Sequence, residues 1–468
     1  MSRLTNRPTV LICMFCLAIV LFGCSSNRQS IREDVLQSDS LNRAVAFEHY
    51  LAGSMAQESE DMSDAALEYQ IALLFDAGSA AIAMALAQVY MQTDEPKAAS
   101  IVLENSRNVN PTDVELLEMA AQINTYIGRH VDENYLDDAY NSYRFLEEVR
   151  PLLRGEYFRL AGLAYQLRRL EEAVELYNEY LDRFGQNPDV HDLIGRIYLV
   201  LNKPREAQDS FRRVVELDST RDETFFLLGG FAVAGDDWES AEIEFRRALA
   251  IDSSNVRYWS NLMLALSGLD KQQETLSVTT AAIELFPEVP QFYDIRGSTL
   301  QRMDRLDEAL EMMDTAISLD SSRISPFLTK GWIHHQQGDW EQGASAYERA
   351  LTIEPDHSLI LNNYAYMLSE QNVRLNDALD MVQRALAAEP DNASYLDTRG
   401  WIYYHLERHQ EALRDVKQAA RIESDNAELQ AHLGYIYQAL GKSSKAKSSW
   451  RRATQLDPDN EEYRRLAR

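Results

Sequence analysis

Small residues return along this chain at a fixed step. Reading back from Gly434, the equivalent positions hold Gly400, Ala365, Gly331, Gly297, Met263, Gly229, Gly195 and Ala161, each 34 or 35 residues apart. One step of 40 then reaches Ala121, and steps of 34 reach Ala87 and Gly53. Taking this residue as position 8 of a repeat, three further positions keep phase with it. Position 20 is alanine almost throughout, from Ala65 to Ala446, with Thr275 and Gly343 as departures. Position 24 is commonly large, as at Tyr69, Tyr177, Phe211, Phe245, Tyr347 and Trp450. Position 32 is often proline: Pro111, Pro151, Pro287, Pro355, Pro390 and Pro458. Small residues set against large ones are how two crossing helices interdigitate without voids. Proline suits a turn where a helix has already ended. The pattern therefore predicts two helices and two turns in each of twelve repeats.

The last complete repeat, residues 427–460, carries Leu433-Gly434, Tyr437, Gly441, Ala446, Trp450, Ala453 and Pro458. This spacing resembles the tetratricopeptide repeat (TPR) family. The resemblance implies an all-α TPR solenoid, a right-handed superhelix of about twelve helix-turn-helix repeats. A length of 468 residues would strain a single compact core, whereas a solenoid buries each repeat only against its neighbours. We expect a polar tether over 24–45, degenerate repeats one to three over 46–154, regular repeats four to twelve over 155–460, and the remnant of a capping helix over 461–468. Position 27 also changes along the array. It is alanine in repeats one and six to twelve but Ser106, Leu146, Tyr180 and Val214 in repeats two to five. Six extra residues within 128–138 should lengthen the inter-helix turn of repeat three. In repeat seven Met263 and Thr275 break two small positions at once, so its helices should separate or cross at another angle.

Charge narrows the function. With 74 acidic and 46 basic side chains, the net charge of −28 repels phosphate backbones, so nucleic-acid partners are not expected. All three cysteines, Cys13, Cys16 and Cys24, precede the repeats, so no disulfide or thiolate metal site is expected within the array.

The N-terminus reads as an export signal. Arg3 and Arg7 precede an apolar run from Thr9 to Phe22, long enough for a signal peptide and short for a membrane-spanning helix. Leu21-Phe22-Gly23-Cys24 resembles the lipobox of bacterial lipoproteins, with Phe22 departing from the small residue common there. The resemblance implies removal of residues 1–23, a lipid on Cys24 and anchorage in a membrane. Ser25 after the cysteine, by the same resemblance, favours the outer membrane, with the array facing the periplasm.

No H-E-x-x-H, P-loop, G-x-S-x-G or dinucleotide fingerprint is present, so no catalytic residue, metal site or cofactor is expected. His405 and His409 stand four apart, but on either side of an inter-helix turn. In the TPR family, positions 2, 5, 9, 12 and 13 line the concave face. Position 9 of repeats nine to twelve holds Trp332, Tyr366, Trp401 and Tyr435, and around these rings fall His335, Asn362, Asp397, Tyr404, His405 and Gln438. These ten residues form the candidate groove for a partner, because aromatic rings offer contact area at low entropic cost. The resulting expectation is a non-enzymatic scaffold that binds protein or peptide partners of the bacterial cell envelope, in pilus, exopolysaccharide or outer-membrane assembly. The alternative is a glycan- or peptidoglycan-associated protein using the same rings.

Overall fold

In the computed structural model, residues 24–468 are described, with side chains from residue 38 onward. The signal peptide expected over 1–23 lies outside the described residues. The described chain is all helical, with twenty-five helices and no strand. Repeats one to four pair α1 (Cys24–Glu58) with α2 (Met62–Phe75), α3 (Ala80–Gln92) with α4 (Pro96–Arg107), α5 (Val114–His130) with α6 (Tyr135–Val149), and α7 (Arg154–Gln166) with α8 (Leu170–Phe184). Repeats five to eight comprise α9 (Pro188–Val200) and α10 (Pro204–Leu217), α11 (Asp222–Ala234) and α12 (Trp238–Ile251), α13 (Val256–Gly268) and α14 (Gln272–Leu285), and α15 (Pro290–Arg302) and α16 (Leu306–Leu319). Repeats nine and ten are α17 (Ile324–Gln336) with α18 (Trp340–Ile353) and α19 (Ser358–Glu370) with α20 (Leu375–Ala388). The last two are α21 (Ala393–His405) with α22 (His409–Ile422) and α23 (Ala427–Ala439) with α24 (Ser443–Leu456). A final α25 (Glu461–Leu466) sets Tyr463, Leu466 and Ala467 against the core of the last repeats. The chain divides into two compact units, one ending at Leu217 and one running Asp218–Arg468.

Within a repeat, the crossing is set by one small residue against one large residue. A β-carbon added at Gly53 would lie 2.8 Å from the Tyr69 ring, and one at Gly195 would lie 2.8 Å from Phe211. Gly229 meets Phe245, Gly331 meets Tyr347, and Gly434 meets Trp450 in the same way. In each case the large partner is the position-24 residue, sixteen residues on. Position 20 is buried beside this contact throughout, as at Ala65, Ala207, Thr275, Ala309 and Ala412. So is position 27, from Ala72 to Ala453, including the departures Ser106, Leu146, Tyr180 and Val214.

The turns follow from local chemistry. Position 15, between the two helices, takes a positive φ in every repeat but the third: Asp94, Asn202, Asp236, Asp270, Asp304, Asn372, Gly338 and Gly441 are examples. Asp, Asn and Gly bear the left-handed conformation best. The turns between repeats have two solutions. Where position 32 lacks proline in repeats five, six and eight, an aspartate one residue earlier accepts from the chain two residues on. Asp252 accepts from the Ser254 N–H at 2.9 Å and Oγ at 2.6 Å, and Asp320 does the same with Ser322 at 3.0 and 2.6 Å. Asp218 likewise holds Thr220, and these hydrogen bonds, with Arg221, lower its carboxyl to about 2.

Two expectations change, and a third holds by an unforeseen route. Residues 24–45 form the start of α1 rather than an irregular tether. No glycine or proline interrupts residues 25–52, so nothing in the backbone stops the helix of repeat one from continuing back. The extra residues of repeat three enter the helices more than the turn, since α5 has 17 residues where α3 has 13. Gly128 permits the resulting close approach of Leu136, to 2.8 Å from where a β-carbon would stand. Repeat seven reverses the small–large pair: Met263 on α13 is fully buried and Thr279 occupies position 24. Met263 packs with Trp259, Ala282 and Phe292. As expected, α13 and α14 share the sparsest backbone contact of any two helices paired within a repeat.

Two glycines test the crossing rule by opposite signs. Replacing a helical glycine with alanine favours the helix by up to about 1 kcal/mol. At Gly230 nothing lies within 4 Å of the added carbon, so Gly230→Ala should stabilise the protein by roughly that amount. At Gly434 the carbon would overlap the Trp450 indole, and overpacking of about 1–3 kcal/mol should win. Urea unfolding should show Gly434→Ala destabilised and partly rescued by Trp450→Leu. Additive effects of the two changes would refute the pairing.

Candidate functional site

The candidate groove residues lie on the first helices α17, α19, α21 and α23, and the structure sorts them into two groups. Trp332, His335, Asn362, Tyr366 and Asp397 line one cavity of about 260 Å³. Trp401, Tyr404, His405 and Tyr435 form an adjoining ring cluster. Gln438 is exposed and belongs to neither. The cavity also takes in Asn363, Ser394 and Glu428. The Tyr366 hydroxyl donates to Glu428 at 2.8 Å, joining residues 62 apart in sequence across repeat eleven. That single hydrogen bond ties α19 to α23.

In the ring cluster, the stacking partners are all internal. Trp401 lies parallel to Tyr404 with centroids 4.8 Å apart and nearly parallel to His432 at 4.1 Å. His405 meets the same indole edge-on at 4.9 Å, and Tyr435 approaches it at 5.9 Å. The Trp401 Nε1–H donates to Glu370 at 2.8 Å, and the Tyr435 hydroxyl donates to Glu462 at 2.7 Å. The stacking of Trp401 is thus engaged within the protein. His405 and His409 are separated by the turn between α21 and α22. Among the described residues, no three His, Cys, Asp or Glu side chains gather as metal ligands.

Beneath the rings lies a buried ion pair. His432 Nδ1 stands 2.9 and 3.0 Å from the two Asp397 carboxylate oxygens, with both residues buried. Burial alone would push the imidazolium down. The Asp397 charge and hydrogen bond, with Glu428 and Glu370 behind them, outweigh it and raise His432 above the ordinary histidine value. His335 and His405 lack such a partner, and burial lowers both. Of the three imidazoles, only His432 is shifted toward its charged form. Two buried polar atoms of the candidate residues have no hydrogen-bond partner: Oδ1 of Asn362, which is 4% exposed, and Nε2 of His405.

Sequence reasoning missed Glu370, Ser394, Glu428 and His432. The first three occupy positions 13, 2 and 2, within the concave set already named, and went unnoticed because attention fell on the rings. His432 occupies position 6, outside that set, and only its spacing of 35 from Asp397 could have suggested the pair.

Comparison with known proteins agrees with the repeat reading. Two models described as "Tetratricopeptide repeat" match, one at 290–323, 325–357 and 427–460, the other at 130–188, 193–256 and 370–428. Together they span more than half of the chain, which belongs to the tetratricopeptide repeat family. Among curated relatives, the human Protein O-mannosyl-transferase TMTC1 is 25% identical over 210 residues, 44% of this chain and 20% of that protein. The TPR repeat-containing protein PA4667 of Pseudomonas aeruginosa is 24% identical over 24% of this chain and 19% of its own length. The bovine BBSome complex member BBS4 is 20% identical over 61% of this chain and 54% of its own length. The chain therefore spans from about a fifth to about half of these relatives. Among solved structures, a tetratricopeptide repeat protein from Parabacteroides merdae aligns at TM-score 0.42 and 16% identity, covering 53% of this chain and 97% of that one. Naa15/Naa10 bound to HypK-THB aligns at TM-score 0.45 and 14% identity, covering 90% and 65%.

The ion pair gives the last repeats a pH dependence with a definite sign. A histidine whose folded pKa is raised stabilises fully below its unfolded pKa, about 6.5. That stabilisation is lost as pH rises through the higher folded value. Urea unfolding and hydrogen exchange of repeats eleven and twelve should therefore show weakening as pH climbs above about 6.5. His432→Ala strands Asp397 in a buried site, should cost about 3–5 kcal/mol and should flatten the profile. A pH-independent wild type would refute the assignment.

Proposed function

We propose that this chain is a non-enzymatic scaffold of the bacterial cell envelope, anchored by lipid on Cys24, that holds an extended segment of a partner protein on the first helices of repeats nine to twelve. The observation that carries the binding reading is the cavity itself. Five side chains chosen from one periodicity, on α17, α19 and α21, line one space and are joined by Tyr366 to Glu428 on α23. The repeats bring partner binding within reach, since proteins of this family generally act by holding other proteins. The bovine relative is by name a member of a complex.

Anchorage rests on Arg3, Arg7, the apolar run 9–22 and Leu21-Phe22-Gly23-Cys24. No described helix is long and apolar enough to cross a membrane. A lipidated cysteine with several acyl chains would supply stable attachment, which one chain alone does not. A stacking platform for glycans has less support, because the Trp401 ring is already stacked on Tyr404 and His432.

Two variants separate anchor from groove. Cys24→Ala should leave an unprocessed precursor or move the protein out of the membrane fraction, and unchanged processing and retention would end the lipoprotein reading. Trp332→Ala with Tyr366→Ala should keep the protein in the membrane yet lose the partner recovered with wild type after detergent solubilisation. Equal recovery of that partner by the double variant would rule out this face.

A further inference from the structure

The cavity between α17, α19, α21 and α23 has a chemical preference. It offers carboxylates, ring faces and one unused acceptor. Trp332 and Tyr366 present aromatic surface, and Glu428 stands at its side, accepting from Tyr366. Asp397 also lines it, but its charge is met by His432. Glu370 lies close behind, bound to Trp401. His335 is neutral because burial lowers it, so it sets no positive charge in the space. Counting these groups leaves a net negative site, within a chain whose net charge is −28.

Asn362 makes this more than an acidic patch. It is buried, lines the cavity, and its Oδ1 has no hydrogen-bond donor. A buried carbonyl left without a donor is costly, and native proteins seldom leave one so. The missing group must be a donor. Ring faces, a carboxylate and an unfilled carbonyl share one complementary ligand, a cation that carries N–H groups. The size is also selective. About 260 Å³ falls below the usual range of small-molecule sites and suits one side chain of a larger partner.

We infer that this cavity is the specificity pocket of the groove and takes the lysine or arginine side chain of the partner segment, its cationic head between Trp332 and Tyr366 and its N–H groups on Asn362 Oδ1 and Glu428. This rests on the reading that the face holds a partner segment. It adds what that segment must contain, and it makes long-range attraction between a basic segment and an acidic array part of the encounter.

A phage-displayed library of random twelve-residue peptides, selected on the full chain, tests both levels separately. Peptides recovered on the wild type should be enriched in lysine or arginine at one position. Glu428→Gln keeps the shape and the acceptor for Tyr366 but removes the charge, so a selected peptide should bind roughly tenfold more weakly to it. Asn362→Leu should weaken the same peptide comparably. Asp236→Asn removes one charge from an exposed turn of repeat six and should change nothing. Peptides recovered without a basic preference would overturn the pocket assignment while leaving the groove in place. So would a preference that Asp236→Asn reduces as much as Glu428→Gln does. Recovery of no peptide at all would overturn the groove and the pocket together.

Discussion

The structure depends on one crossing, repeated. At position 8 of every repeat but the seventh the first helix presents almost nothing, so that a larger side chain at position 24 of the second helix can lie across its backbone. Position 24 is buried in every repeat, whether it is Tyr69, Leu103, Tyr143, Val382 or Trp450. Alanine or glycine at position 20 lets the second helix come close enough for that contact. A repeat array has no central core, only intrinsic terms and nearest-neighbour terms. Weakening one crossing therefore acts on its neighbours first.

That constraint explains what the sequence made legible. A small residue, a large one sixteen places later and a turn proline recur at a period too regular for any other helical architecture. Glu60, Arg168 and Glu407 sit at the left-handed turn position without the side chains that usually mark it. There the backbone obeys the packing of the helices on either side, and tertiary context overrides propensity. The insertion of repeat three was visible as a count of residues, but a count cannot say whether added residues wind into a helix or loop out. The start of α1 was hidden for a related reason: a polar, serine-rich segment looks like a tether when its only argument for helicity is that nothing breaks it.

The candidate site was legible as positions and illegible as chemistry. Periodicity placed Trp332, Asn362, Tyr366 and Asp397 on one face, because first helices stack with a constant offset. It could not tell which rings face solvent and which face each other. Trp401 turned inward because His432, one repeat on, offers it a parallel partner and is itself held by Asp397. The acids that give the pocket its sign were hidden in a chain where acidic residues are common everywhere. Their hydrogen bonds to the rings, Glu428 with Tyr366 and Glu370 with Trp401, set these two apart from exposed acids without such partners.

Repeat seven shows what the crossing rule is a rule about. Met263 stands where other repeats have glycine or alanine, and Thr279 stands where they have a large residue. Both are fully buried, so the volume is conserved while its two owners change places. Exchange preserves packing because the contact is set by the summed size of the pair. It does not preserve geometry. A large residue on the first helix holds that helix off its own partner, and α13 accordingly keeps the least backbone contact with α14 while lying comparatively close to α12. Beside it, a cavity of about 380 Å³ opens along α13 and α15, lined by Ser260, Leu264, Ser267, Asp294, Ser298 and Arg302 among others. Hydroxyl and other polar groups stand here beside Met263, Leu264 and Ile295, without the rings found two repeats further on. The C-terminal unit thus carries two different surfaces: an opening of mixed hydroxyl, charged and aliphatic groups beside the reversed pair, and an acidic, aromatic pocket at repeats nine to twelve.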